Sequence, residues 1–255
     1  MSRSTAISKK FARLFEVDTS TLFYFSLTST TIGKTTMIRL LVGVLVFVIN
    51  VLYRDRPYPR FYVLETVARV PYFSYLSVLH LYETLGWWRQ VDWLKVHFAE
   101  SWNELHHLLI MESLGGSDRW VDRFLARHVA LVYYWIIVGL YLVSPRSAYH
   151  FMELVEEHAY ASYNQFLHSQ EAMLKAQAAP PVAINYYRDG DLYLFDEFQT
   201  SHNLSERRPR VDNLYDVFVA IRDDEMEHVK TMVACQKPDA KQTFHSPHAP
   251  ALGIK

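Results

Sequence analysis

Apolar residues recur every three to four positions through two long stretches without glycine or proline, Lys95 to Leu114 and Asn213 to Cys235. That is the period of an α-helix with a buried face. Two further helices, around Glu65 in VLETVARV and Glu156 in ELVEEHAY, would complete a four-helix bundle around one core. Pro71 follows Glu65 by six residues and has no amide hydrogen to give to a helical ladder, so it predicts a kink or an end there. The long non-periodic stretch is Pro180 to Arg210, between the Glu156 segment and the last helix. Its aromatic content predicts an ordered insert over residues 180–210.

Two further runs are apolar on every side. Leu40 to Tyr53 and Val129 to Val143 carry no charge, yet as helices they reach only about 21 to 22 Å. A bilayer core is about 30 Å thick. Arg39 and Arg54 bracket the first run, and Tyr133, Tyr134, Trp135 and Tyr141 punctuate the second, which suits a membrane–water interface. The expectation is a monotopic protein embedded in one leaflet. Buried helices of a soluble protein and a true spanning pair are the other readings.

Composition adds bounds. A chain of 255 residues, half of them apolar and undivided by any glycine- or proline-rich linker, is read as one domain over residues 1–255. Within it, 1–35 is a basic N-terminal segment and 237–255 a flexible tail. Net charge is −1, but residues 1–60 hold nine Lys/Arg against three Asp/Glu; the other 17 basic and 24 acidic residues leave −7. A basic leading segment beside apolar runs favours an anionic lipid surface. There is no stacking motif or helix-turn-helix pattern for nucleic acid. The single Cys235 excludes an internal disulfide and argues against a thiolate-held cluster. Histidine and carboxylate, which the chain has in quantity, suit iron or manganese.

The chemistry concentrates in two Glu-x-x-His pairs, Glu104/His107 in NELHH and Glu225/His228 in DDEMEH. Three residues turn a helix by about 300°, so each pair shares a face and can reach one ion or bridge two. A four-helix bundle completes such a di-metal site with a lone Glu from each of two more helices, and Glu65 and Glu156 stand where these are needed. Chance yields roughly one such pair in a chain of this composition, so spacing alone leaves solvent-face charges as the alternative. Four buried carboxylates would cost several kcal/mol each if uncompensated, and must protonate or bind cations. Two divalent cations would bring the four positive charges that neutralise them. Glu83, Glu100, Glu112, His97 and His106 are read as exposed-face residues. His106 points about 100° away from His107.

Longer stretches, LETVARVPYFSYLSVLHLYETLGWWR, DWLKVHFAESWNELHHLLIMESLGG and YDVFVAIRDDEMEHVKTM, closely resemble the plastid and cyanobacterial branch of the alternative oxidase family, from about Tyr53 to Gln236. The DLYLFDEFQT wording of the insert resembles that branch and not the mitochondrial one. The resemblance implies a non-haem di-iron quinol oxidase that reduces O2 to water without pumping protons, with plastoquinol or ubiquinol as donor. It implies two iron ions held by Glu65, Glu104, His107, Glu156, Glu225 and His228. The family pairs a Glu three residues before the Ala of the HAY segment with a Tyr seven residues beyond that Glu. This selects Glu156, over its neighbour Glu157, and Tyr163. Tyr163 matches the family's redox-active tyrosine; a core tyrosine bonded to a ligand is the alternative. Asn103 and Asp224, each just before a Glu of a pair, match positions in the hydrogen-bond network around the irons, and His80 and Tyr141 match further positions linked to activity. Arg60, Leu64, Ala68, Ser162 and Tyr163 match the quinone pocket.

The fold expected is all-α: a ferritin-like four-helix bundle holding two irons, plus two further helices at the membrane interface. The location expected is a thylakoid or cytoplasmic membrane of a cyanobacterium-like source, since MSRSTAISKK lacks a secretory h-region and only about fifty residues precede the family-like part. The apolar aromatic surface leaves room for a homodimer. A di-iron monooxygenase on a quinone or lipid, and a non-catalytic helical membrane-surface protein, are the competing functions.

Overall fold

The computed structural model of the chain describes residues 55–87, 91–189 and 208–237, with residues 43, 47–49 and 51–53 ahead of them. Two compact units divide the chain, Met1–Leu45 and Val46–Lys255, and every element below belongs to the second. The basic segment 1–35, half of the run Leu40–Tyr53, insert residues 190–207 and the tail beyond Lys237 lie outside the described residues.

The fold is all-α. Between Pro57 and Cys235 the described helices are α1 Pro57–Ala68, α2 Val70–Thr84, α3 Val91–Ser113, α4 Trp120–Val143, α5 Pro145–Lys175, the single turn α6 Pro181–Ile184 and α7 Leu214–Cys235. A π-helical turn, Asn185–Asp189, continues α6. No strand occurs among the described residues; one isolated bridge joins Ala178 to Asn213.

Local chemistry sets the boundaries. Proline opens α1 and α5 at positions whose amide hydrogens would have no helical partner. Ser144 accepts a hydrogen bond from the Ser147 amide (3.3 Å) and Asn213 one from the Asp216 amide (3.1 Å), capping α5 and α7. The chain breaks at Arg69, two residues before Pro71, so the expected interruption falls between α1 and α2. Past the end of α3, Gly115 takes φ +81. Gly116 then passes so close to α1 that a Cβ there would lie 2.7 Å from the Met111 carbonyl oxygen and 2.9 Å from that of Tyr58.

Helices α1, α3, α5 and α7 form the four-helix core; α5 and α7 pack along most of their lengths, and α1 lies on α3. Outside them α2 and α4 pack on each other, with α2 also against α3 and α4 against α1 and α5. Helix α4 corrects the expected short apolar run. Val129–Val143 is only its second half, because the helix starts at Trp120 and carries Asp122 on its inner face, where Arg56 pairs with it (Nη1 to Oδ1, 3.2 Å). By length and composition α4 is the one described helix able to cross a membrane. Asp122, Ala126, Ile137 and Tyr141 form its buried stripe, while Trp120, Phe124, Leu131, Trp135, Ile136 and Val143 are exposed.

His97, Glu100 and His106 are buried, against the expectation of an exposed face. Helix α3 is enclosed by α1, α2, α6 and α7, which leaves these positions no solvent side. Glu83 and Glu112 are half-buried.

Candidate metal centre

Glu65 comes from α1, Glu104 and His107 from α3, Glu156 from α5, and Glu225 and His228 from α7. All six are fully buried, none more than 1% exposed. Their ligand atoms fall into two groups: Glu65, Glu104, His107 and Glu225; and Glu104, Glu156, Glu225 and His228. Within each group the atoms lie within 4.8 Å of one another. Glu104 and Glu225 belong to both, so the glutamates of the two pairs are placed to bridge, with Glu65/His107 at one end and Glu156/His228 at the other. Glu157, next to Glu156, is exposed.

The donor set fits cations. Both oxygens of Glu104, one oxygen each of Glu65, Glu156 and Glu225, and His107 Nδ1 are buried without a hydrogen-bond partner. A buried lone pair left in this way costs stability unless something positive meets it. With protons alone, the groups compete. Burial, then the charges of Glu225 and Glu65, push Glu104 well above the carboxylate range. Burial and Glu156 push Glu225 up to about 8. Burial pulls His107 and His228 down, but their carboxylate partners outweigh it and raise both well above the usual imidazole range. Two divalent ions would relieve this crowding by replacing shared protons with fixed positive charge.

Two side chains cross-brace the imidazoles. Asp224, beside Glu225 on α7, reaches across to His107 Nε2 of α3 (3.3 Å). Asn103, beside Glu104 on α3, reaches back to His228 Nε2 of α7 through its Oδ1 (3.1 Å). Once cations take the place of the shared protons, both acceptors hold the remaining ring proton on Nε2 and leave Nδ1 facing the carboxylates: His107 Nδ1 is 3.2 Å from Glu225, His228 Nδ1 2.9 Å from Glu104. Asn103 Nδ2 donates to Asp224 Oδ2 at 2.8 Å, which joins the two braces.

Each end glutamate also receives a phenol. Tyr163 donates to Glu65 Oε1, and Tyr72 to Glu156 Oε1 at 2.5 Å. Burial first, then those same carboxylates, push both tyrosines well above the ordinary phenol range, so they stay protonated and donate.

A family model for alternative oxidase matches residues 27–237. The chain belongs to the alternative oxidase family. It is 59% identical over 228 residues to "Ubiquinol oxidase 4, chloroplastic/chromoplastic" of Arabidopsis thaliana, covering 87% of this chain and 65% of that protein. It is 31% identical over 166 residues to "Ubiquinol oxidase 2, mitochondrial" of Glycine max, which covers 65% of this chain and 44% of that one. With "Ubiquinol oxidase 2, mitochondrial" of Arabidopsis thaliana it shares 29% over 180 residues, 70% and 45% of the two chains. The chain thus spans less than two thirds of the length of these relatives. Alternative oxidases are di-iron proteins, and this member has buried Glu/His groups able to bind a metal pair.

The remaining positions carried over from the alternative oxidases divide. Arg60 Nη2 donates to Ser162 Oγ at 3.1 Å, and both line a cavity of about 400 Å³ with Tyr53, Phe166 and Gln170. Leu64 and Ala68 follow Arg60 one and two turns along α1, half-buried and buried; they and Tyr163 do not line that cavity. His80 is exposed on α2, one step round from the buried Leu79, and lies apart from the buried network. Tyr141 is fully buried and bonded to Tyr149 (2.7 Å), not to a ligand.

Three residues escaped the sequence reading. Tyr187, in the π-helical turn, donates to Asp224 Oδ2 at 2.8 Å, and Tyr186 accepts from Asn103 Nδ2 at 2.8 Å. Nothing in the sequence marks them, since they lie far along the chain from either partner. Tyr72 had a signal: it follows Glu65 by seven residues, as Tyr163 follows Glu156.

Proposed function

We propose that this chain is a membrane-bound quinol oxidase, in which two iron ions held by Glu65, Glu104, His107, Glu156, Glu225 and His228 couple quinol oxidation to reduction of O2 to water. Plastoquinol is the preferred donor. The observation that carries this reading is a pair of buried ligand groups sharing Glu104 and Glu225, with a cavity beside Arg60 on the helix that supplies Glu65. Bound iron supplies the one-electron steps that O2 requires.

The protein's residues do the rest. Arg60 offers an N–H to one quinol oxygen, and Ser162 Oγ, 3.2 Å from His158 Nε2, accepts the hydrogen of a quinol hydroxyl. Tyr163 adjoins Ser162 in sequence and is bonded to Glu65, so it stands between quinol and metal and is the route for electron and proton. Asn103 and Asp224 keep His107 and His228 in the tautomer that ligates.

The wording of the insert and the plastid-named Arabidopsis relative support plastoquinol and a chloroplast-type membrane. The relatives are plant proteins and lend the cyanobacterium-like source no support. Attachment in one leaflet is supported by the exposed apolar side of α4 and by exposed Phe73 and Leu81 of α2 and Leu85 just past its end.

The test is oxygen uptake by detergent-solubilised protein supplied with decyl-plastoquinol or decyl-ubiquinol, with iron assayed in parallel and Glu104→Ala as control. Uptake faster with the plastoquinol analogue and lost in the variant supports the proposal. Iron without quinol-dependent uptake moves the reading to a monooxygenase, and a protein that binds no iron on reconstitution defeats both.

A further inference from the structure

The two phenols at the metal centre have different surroundings. Behind Tyr163 lies the stacked ring of Phe61 (4.3 Å, 7°), which is not readily oxidised. Behind Tyr72 the rings continue: Tyr72 to Tyr75, 6.3 Å between centroids; Tyr75 to Tyr149, 5.0 Å; Tyr75 to Tyr141, 4.7 Å. All four are fully buried. Neighbouring aromatic rings at such separations exchange single electrons rapidly.

This series ends in a row of hydrogen bonds. Tyr141 OH and Tyr149 OH are 2.7 Å apart, Tyr149 OH and His97 Nε2 2.9 Å, and His97 Nδ1 and Glu100 Oε2 2.8 Å. Bonding capacity gives the row a direction. With His97 Nδ1 donating to Glu100 Oε2, Nε2 is left to accept from Tyr149, whose oxygen accepts from Tyr141. The other Glu100 oxygen is buried without a hydrogen-bond partner, so no second donor competes with His97 for its charge.

One-electron oxidation makes a phenol a strong acid, and inside a protein the step is reversible only where a base already bonded to the O–H takes the proton. Tyr75 has none, since its hydroxyl donates to the Ala148 carbonyl at 3.0 Å. Tyr141 donates to another phenol, and the acceptor of Tyr72 is Glu156, a candidate ligand. Of the four, only Tyr149 is bonded to an imidazole, and that imidazole is backed by a carboxylate.

We propose that Tyr149 is a redox-active tyrosine, separate from Tyr163, that holds an oxidising equivalent drawn from the metal centre through Tyr72 and Tyr75. Tyr149 gives one electron toward the oxidised centre, and its phenolic proton moves to His97 Nε2. The products are a neutral tyrosyl radical and an imidazolium lying against Glu100. One electron from quinol and the proton returned by His97 restore the phenol. O2 takes four electrons and one quinol gives two, so a centre short of electrons keeps oxidising power beside its own ligands; the row moves it away from them. The inference rests on the quinol-oxidase reading above.

The experiment mixes reduced, iron-loaded protein with O2 in the absence of quinol, so that O2 lacks two of its four electrons, freezes it, and reads tyrosyl radical by EPR and its proton couplings by ENDOR. Iron content and steady-state uptake are measured on the same sample. The expected radical has a coupling that disappears in D2O, from the His97 proton, and is lost in Tyr149→Phe and in His97→Leu while it persists in Tyr163→Phe. In unaltered protein, a radical without exchangeable coupling overturns the proposal whatever the variants do. A full signal in iron-replete Tyr149→Phe also overturns it, as does normal iron and uptake with no trapped radical. If iron or uptake is missing, the quinol-oxidase reading has failed instead. Tyr149 is then decided by flash oxidation of the metal-free protein with a ruthenium polypyridine sensitiser and the same variants, where loss of the signal in Tyr149→Phe supports it and persistence overturns it.

Discussion

At the scale of single residues the site repeats itself. Tyr72 follows Glu65 by seven positions and Tyr163 follows Glu156 by seven, and each tyrosine bonds to the glutamate of the other helix. Asn103 and Asp224 repeat the exchange for the imidazoles. One carboxylate within this scheme is assigned by burial: Glu156 faces inward and Glu157 outward. Iron retained after purification is therefore expected to fall sharply in Glu156→Ala and to stay at the wild-type level in Glu157→Ala, read by metal analysis of both. Asp224 accepts from Asn103 and Tyr187 and holds His107. Removing it in Asp224→Ala frees the His107 ring and is expected to weaken iron binding by about 10- to 100-fold, measured by competition with a chelator.

At the scale of elements, helix ends were legible where a proline, a capping side chain or a glycine announces them, as at Pro71, Asn213 and Gly115. Helix faces were less so. His97 and Glu100 share α3 with Glu104 and His107, and from one sequence their polarity reads as a solvent side; neighbouring helices instead enclose them and pair them with each other and with Tyr149. Likewise Asp122 looks like the end of an apolar helix but turns inward to Arg56. The α3–α4 junction depends on Gly116, where backbone oxygens leave no room for a side chain. Gly116→Ala is expected to destabilise the protein by about 1–3 kcal/mol, seen as a lower melting temperature in thermal unfolding.

At the scale of the molecule, α2 and α4 pair outside the four-helix core and leave a broad apolar surface exposed. Trp135, 66% exposed, lies on it. Losing the burial of one such side chain in lipid and adding a charge is expected to weaken partitioning roughly tenfold or more, so Trp135→Glu should shift from the liposome pellet to the supernatant in a flotation or sedimentation assay. Oxygen uptake in detergent, where no bilayer is needed, is expected to survive this substitution.

The sequence by itself determined the helical class and the shared face of each Glu-x-x-His pair, because a 3.6-residue period and a three-residue Glu–His spacing are local properties of one helix; Glu65 and Glu156 rested on the resemblance. It also carried the family. Only the tertiary structure decided that Glu104 and Glu225 are common to both ligand groups, that Tyr72, Tyr186 and Tyr187 join the network, and that His97 and Glu100 form a buried pair. Those relations hold between residues 37 to 121 positions apart or depend on which helix covers which face. The angles at which helices cross fix them, and no period along a single chain records those angles.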